Sequence, residues 1–265
     1  MRPHDIVLLH GQPGLGAEWR QVLERLPAQV RAATPDRPGY GASRIPAGGL
    51  DVNTAAVLAD LDNRGVERAV LVGHSYGGGV ALNVAATAPD RVEALILLAS
   101  VGPDCLNGWD WLLAAPVAGP ACSLIGLRLT PWLARARLRG PIRRLGFEAA
   151  ARRHSYMYVW GFARWDHGPL WRTFVVEQRA LVRETETFAA MATQIRVPVL
   201  LMADRKDTMV PFRTAVALSQ SLPDAKLRVI EGAGHHLPMR APEEVAAAIS
   251  GFLESLDEVR AGEQT

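Results

Sequence analysis

Six short runs rich in apolar residues, near 6–9, 30–34, 69–72, 94–98, 199–202 and 227–230, recur along the chain with helical signals between them. Strands that are almost continuously apolar need cover on both faces. Helices packed on both sides of a mostly parallel sheet supply it, so the pattern predicts an α/β fold. Asp51 is read as the cap of a helix through Leu61 that ends near Gly65, and Ala241-Pro242-Glu243-Glu244 opens an Ala-rich terminal helix with acids in its first turn. The polar tail after Asp257 is expected to fray.

Chemistry gathers where four of these runs end. Gly73-His74-Ser75-Tyr76-Gly77-Gly78 follows the run at 69–72 and leads into a small-residue helix, which places one serine at the apex of a strand-turn-helix. A serine hydroxyl is a weak nucleophile until it is lifted clear of its own backbone and paired with a base, and the small residues at 73 and 77 permit such a sharp turn. His10-Gly11-Gln12-Pro13-Gly14 follows the first run and can expose a backbone N–H to a developing oxyanion. The N–H of Tyr76, at a helix N-terminus, is the second candidate donor. Far down the chain, Gly232-Ala233-Gly234-His235-His236 follows the run at 227–230, and Asp204 and Asp207 follow the run at 199–202. A carboxylate there is placed to orient an imidazole and support its charged form.

The order Ser, Asp, His and these four separated motifs resemble the α/β-hydrolase fold superfamily over roughly residues 5–100 and 195–257. The resemblance implies that Ser75 is the nucleophile, Asp207 the triad acid, His235 the triad histidine, and Gln12 and Tyr76 the backbone donors of the oxyanion hole. Asp36-Arg37-Pro38-Gly39-Tyr40-Gly41 is similar to a further loop of that family. Most relatives carry a strand hairpin ahead of the His-Gly loop. This chain has no residues for it, so a sheet of about six strands is expected. Residues 103–193 break the strand-helix alternation and hold Trp109, Trp111, Trp132, Trp160, Trp165 and Trp171. In this superfamily such an insertion forms a helical cap, giving a core of 1–102 and 194–265 with a cap of 103–193. Helices are expected over 131–138 and 171–188, with Gly-Pro pairs at 119–120, 140–141 and 168–169 as punctuation.

Several positions have rivals. His236 competes with His235, and Asp204 and Asp104 compete with Asp207. His74, His236, Trp109 and Trp160 are assigned to the substrate pocket, although a buried, hydrogen-bonded histidine is the plain alternative for His74, and core packing for the tryptophans. His10 reads as a loop brace. The implied activity is cofactor-free cleavage of an ester, lactone or thioester with a hydrophobic group. Carbon–carbon hydrolysis, haloperoxidase or lyase chemistry and a non-catalytic small-molecule receptor are the alternatives. A serine at the elbow argues against dehalogenase and epoxide hydrolase chemistry, and His-Leu-Pro-Met-Arg at 236–240 lacks the lysine expected of the lyases.

Composition narrows the partners. The formal net charge is +2 and the only lysines are Lys206 and Lys226. With no basic stripe interleaved with aromatics, no nucleic-acid partner is expected. His4, His154 and His167 show no ligand spacing, so no metal is expected. No apolar run approaches a bilayer-spanning length. Cys105 and Cys122 fit reduced thiols, and a core strand starting by Asp5 or Ile6 leaves no room for a signal peptide, so a cytoplasmic location is expected.

Overall fold

The computed structural model describes residues 4–135 and 170–262, with backbone alone over 127–135. Six strands form one parallel sheet: β1 (His4–Leu9), β2 (Val30–Ala33), β3 (Ala69–His74), β4 (Val92–Leu98), β5 (Val199–Ala203) and β6 (Ala225–Val229). Their spatial order is β2-β1-β3-β4-β5-β6, so the α/β reading and the six-strand sheet both hold. The chain leaves β1 toward one edge and β3 toward the other. The crevice at the carboxyl ends of β1 and β3 is therefore the topological switch point, where ligands bind in open sheets of this kind.

Residues alternate between the two faces of the strands. Val7, Leu9, Leu71, Leu95, Leu97 and Leu201 enter one apolar cluster, and Ile6, Leu8, Val70, Val72, Ile96 and Met202 enter the other. Helices α1 (Leu50–Asn63) and α2 (Tyr76–Thr87) cover the first face, and α8 (Pro242–Gly262) covers the second, its Ile249 and Leu253 sealed against the strands. Between β4 and β5 lie α3 (Gly108–Ala114), α4 (Ala118–Arg135), α5 (Leu170–Glu184) and α6 (Thr187–Gln194), and α7 (Phe212–Ser221) follows β5.

The helix ends depart from the sequence reading. Asp51 does not cap α1. The N-cap is Gly49, and the Leu50 N–H is accepted instead by Glu184 Oε2 at 3.2 Å from α5, which leaves Asp51 in the first turn beside the positive end of the helix dipole. Gly119-Pro120 lies inside the first turn of α4, where proline's missing N–H has no intrahelical partner to lose. The segment 171–188 is two helices, broken at Thr185-Glu186. The terminal helix runs to Gly262, because Leu256 still packs on the sheet side. The Gly-Pro pairs at 140–141 and 168–169 and the helix end at 138 fall outside the described residues.

Candidate active site

The apex of the turn after β3 is built by exclusion of side chains. A Cβ on Gly73 would meet Gly77 O at 2.5 Å, one on Gly77 would meet Leu9 O at 2.3 Å, and one on Gly78 would meet Ser100 Oγ at 2.2 Å. Only glycine lets β3, α2 and β1 converge this closely. Ser75 takes φ 54° and ψ −121°, a conformation that costs on the order of 1–3 kcal/mol for a residue with a side chain. The surroundings hold it there. Its N–H donates to Leu98 O at 2.9 Å, and its carbonyl accepts from Gly78 N–H at 2.9 Å and Val101 N–H at 3.2 Å. The reward for this strain is a hydroxyl raised above the sheet.

His235 Nε2 lies 3.0 Å from Ser75 Oγ, and His235 Nδ1 lies 2.8 Å from Asp207 Oδ2. The two turns that carry these groups are fixed separately. Asp207 Oδ1 accepts the N–H groups of Met209 at 2.8 Å and Val210 at 3.0 Å, which commits Oδ2 to the imidazole. Asp204, the rival acid, is spent on the backbone: its carboxylate accepts from Lys206 N–H at 2.8 Å and Gly234 N–H at 2.6 Å. Although burial opposes it, those backbone donors hold Asp204 below the usual carboxylate range. Asp204 thus ties the acid loop to the histidine loop, whose Gly232 and Gly234 have φ of 83° and 58°. Asp104 is exposed on the turn after β4.

His74 is both buried and braced. Its Nδ1 faces Glu18 Oε1 at 3.0 Å and its Nε2 faces the His235 carbonyl at 2.9 Å. Two acceptors require two donors, so the ring is an imidazolium. Burial disfavours that charge, but the Glu18 carboxylate more than offsets it and the histidine titrates above its usual range. His236 has the opposite fate: burial and then the neighbouring His235 push its pKa well down, which keeps it neutral. Both histidines line a chamber of about 10 Å³ beside Ser75, with Gln12, Glu18 and Met209 among the other walls. That space admits one water-sized group.

Of the two tryptophans assigned to the pocket, Trp109 does not join this arrangement. Trp109 is 72% exposed at the start of α3, because the adjoining Asp110 takes the inward side through its bond to Gln178 Nε2 at 2.9 Å. Trp160 lies outside the described residues.

Gln12, on the loop after β1, lines the same chamber as Ser75, and Tyr76 follows the serine as the first residue of α2. Among the described residues neither backbone N–H is donated to a turn, loop or cap acceptor. The His-Gly loop that carries Gln12 rests on a residue that sequence reasoning left without a role. Arg37, fully buried on the loop after β2, spends all five of its N–H donors. Nε goes to His10 O at 2.8 Å, Nη1 to Asn53 Oδ1 at 2.9 Å and to Glu177 Oε1, and Nη2 to Gly11 O at 2.9 Å and Glu177 Oε2 at 3.2 Å. Glu177, on α5, also accepts the Tyr40 hydroxyl at 2.5 Å. The Tyr40 and Tyr76 rings stand 5.1 and 5.0 Å from the guanidinium carbon. His10 is the brace expected of it. Burial and the Arg37 charge keep it neutral, so Nε2 accepts the Arg37 N–H at 2.9 Å while Nδ1 donates to Gly11 O at 2.8 Å. The one sequence signal for this network was the Asp-Arg-Pro-Gly-Tyr-Gly run.

Comparison with known proteins places the chain among enzymes of several chemistries. It is 31% identical over 250 residues to the pimeloyl-(acyl-carrier protein) methyl ester esterase of Nitrosomonas europaea, covering 94% of this chain and 95% of the other. It is 28% identical over 272 residues to the 2-hydroxymuconate semialdehyde hydrolase of Pseudomonas sp. strain CF600, covering 95% and 87%. The structure of a thermophilic esterase from Thermogutta terrifontis shares the fold, with a TM-score of 0.70 at 22% identity over 96% of this chain and 91% of that one. The family model for alpha/beta hydrolases matches residues 6–248, from the first strand into the last helix, and the chain therefore belongs to the alpha/beta hydrolase family.

Proposed function

We propose that this protein is a serine hydrolase that cleaves a carboxylic ester, or a related lactone or thioester with a hydrophobic group, through an acyl-enzyme. The observation that carries the reading is the unbroken line Ser75 Oγ, His235 and Asp207, with contacts of 3.0 and 2.8 Å. Asp207 Oδ2 accepts from Nδ1 of His235, so Nε2 is the free lone pair that takes the Ser75 proton as Oγ attacks the carbonyl carbon. The oxyanion that forms sits against the N–H groups of Gln12 and Tyr76, each worth ~3 kcal/mol of transition-state stabilisation. His235 returns its proton to the leaving alkoxide. It then takes one from a water that attacks the acyl-enzyme, and Ser75 is regenerated. Residues between β4 and β5 supply the cap over this centre, and the hydrophobic group of the substrate lies under it.

A second reading is carbon–carbon bond hydrolysis, supported by the near full-length similarity to the 2-hydroxymuconate semialdehyde hydrolase. The same three residues serve both. The test is intact-mass analysis after a fluorophosphonate probe on wild type, Ser75→Ala and His235→Ala, followed by aryl esters of increasing acyl length and a dienoate ring-cleavage product. One adduct on Ser75 that depends on His235, with faster turnover of esters, is the expected result. A folded wild type that takes no probe and turns over neither substrate class would refute the hydrolase reading.

A further inference from the structure

The contacts of Arg37 converge on two consecutive peptide units. The first joins His10 to Gly11: its carbonyl accepts from Arg37 Nε at 2.8 Å, and its N–H, on Gly11, is taken by Glu18 Oε1 at 3.2 Å. The second joins Gly11 to Gln12. Its carbonyl accepts from Arg37 Nη2 at 2.9 Å and from His10 Nδ1 at 2.8 Å, whereas its N–H, on Gln12, is donated to no turn, loop or cap acceptor among the described residues. In a trans peptide the C=O and N–H point in opposite directions, so a clamp on the oxygen aims the hydrogen. A cationic donor on that oxygen also draws electron density along the amide and strengthens the N–H as a donor. The other expected donor is treated alike. The carbonyl of the Ser75–Tyr76 peptide accepts two N–H groups, from Gly78 and Val101, and its own N–H belongs to Tyr76.

We propose that Arg37 is a positioning residue of the oxyanion site, which aims and polarises the Gly11–Gln12 peptide, and that Glu177 on α5 holds Arg37 in place to do so. The proposal rests on the hydrolase reading above for its kinetic consequence, but not for its structural one. An ion pair this deeply buried also has a plain structural role, and the experiment separates the two. Arg37→Met alone strands the Glu177 carboxylate and is expected to lower the melting temperature sharply. Arg37→Met/Glu177→Met removes both charges and keeps their volume, a replacement that commonly restores stability.

The full chain carrying the double substitution is compared with wild type in two ways. With 4-nitrophenyl butyrate, kcat is expected to stay down by about 10- to 100-fold while KM moves by less than about threefold, the split that marks an interaction made only in the transition state. In ¹⁵N-labelled protein the Gln12 amide proton is expected to move upfield. A double variant with wild-type kcat, or an unmoved Gln12 resonance, would overturn the proposal. If the double variant does not fold, Arg37→Lys is read by the same two measures, since it keeps the charge beside Glu177 but cannot span both carbonyls. Wild-type protein that neither hydrolyses the ester nor takes a fluorophosphonate would fail the hydrolase reading instead, and the Gln12 resonance then decides this one alone.

Discussion

Replacing Asp207 by asparagine tests the order of the proposed proton path, and the structure dictates how the new side chain must sit. Oδ1 of Asp207 accepts two backbone N–H groups, from Met209 at 2.8 Å and Val210 at 3.0 Å. An asparagine keeps its carbonyl oxygen there, since its amide nitrogen offers no acceptor to them. The NH₂ group is thereby turned toward His235 Nδ1, where an acceptor stood at 2.8 Å. A donor facing Nδ1 stabilises the tautomer with the proton on Nε2, and that nitrogen can no longer take the Ser75 proton. The expected fall in kcat is ~10⁴-fold, or about 5 kcal/mol of transition-state stabilisation. The fold should barely notice, because both backbone contacts survive. Asp204→Asn is the contrasting case. Asparagine cannot accept fully from both Lys206 and Gly234, so the cost falls on stability, about 1–3 kcal/mol, with a smaller loss of rate through the displaced histidine loop. Steady-state kinetics on 4-nitrophenyl butyrate beside urea unfolding curves measure both. If Asp207→Asn keeps a tenth or more of the wild-type kcat, or if Asp204→Asn is the more damaging to rate, the tautomer argument is wrong.

Other perturbations follow from the same contacts. Gly78→Ala places a methyl group 2.2 Å from Ser100 Oγ and should cost about 1–3 kcal/mol in overpacking; a melting temperature equal to wild type would show that the elbow yields. His10 and His236 are both held neutral, so between pH 6.5 and their depressed folded values the unfolded chain binds more protons and stability falls as pH falls, whereas His74, whose folded value is raised, opposes that trend as pH rises. His236→Asn should therefore flatten the loss of unfolding free energy between pH 7.5 and 5.5, and an unchanged loss in that variant would refute the assignment. Gln178→Met removes the acceptor of Gln12 Nε2 at 2.7 Å and the donor to Asp110. It should raise KM for acyl substrates more than it lowers kcat, and a change confined to kcat would contradict a role in seating α5 against the His-Gly loop.

The parts of this site that were legible in the sequence are those whose constraint is local. Ser75 announces itself because a strand, three glycines and a helix must meet within a few residues, and His235 because it stands directly after Gly232-Ala233-Gly234 on a short loop at a strand end. Asp207 could be preferred to Asp204 only by resemblance, since both carboxylates follow the same strand. What separates them is which backbone N–H groups each one meets, and Gly234, the donor that occupies Asp204, stands thirty residues further on. The Arg37–Glu177 pair spans 140 residues and the His74–Glu18 pair 56, and no period or motif links either. Asp51 misled for a related reason. Its residue type suits a cap, but the cap position is decided by Glu184 arriving from α5. Trp109 is assigned to the pocket from its place among the tryptophans of 103–193, whereas the capping box of Asn107 and Asp110 sets which way α3 faces.

The joint between α5 and the loop after β2 has a consequence for replacing the segment between β4 and β5 of this chain. A guanidinium with no exposed surface to speak of, paired across that joint, makes α5 and the loop after β2 a matched set in this chain. Grafting a foreign insertion without a carboxylate at the place of Glu177 would leave Arg37 charged and unpaired in the interior, a penalty of about 3–5 kcal/mol, before any question of which substrate the new segment prefers. A functional chimera of this chain is therefore expected to carry the loop after β2 together with α5. In this chain a change of the residues between β4 and β5 is thus coupled to the loop after β2, some 140 residues away.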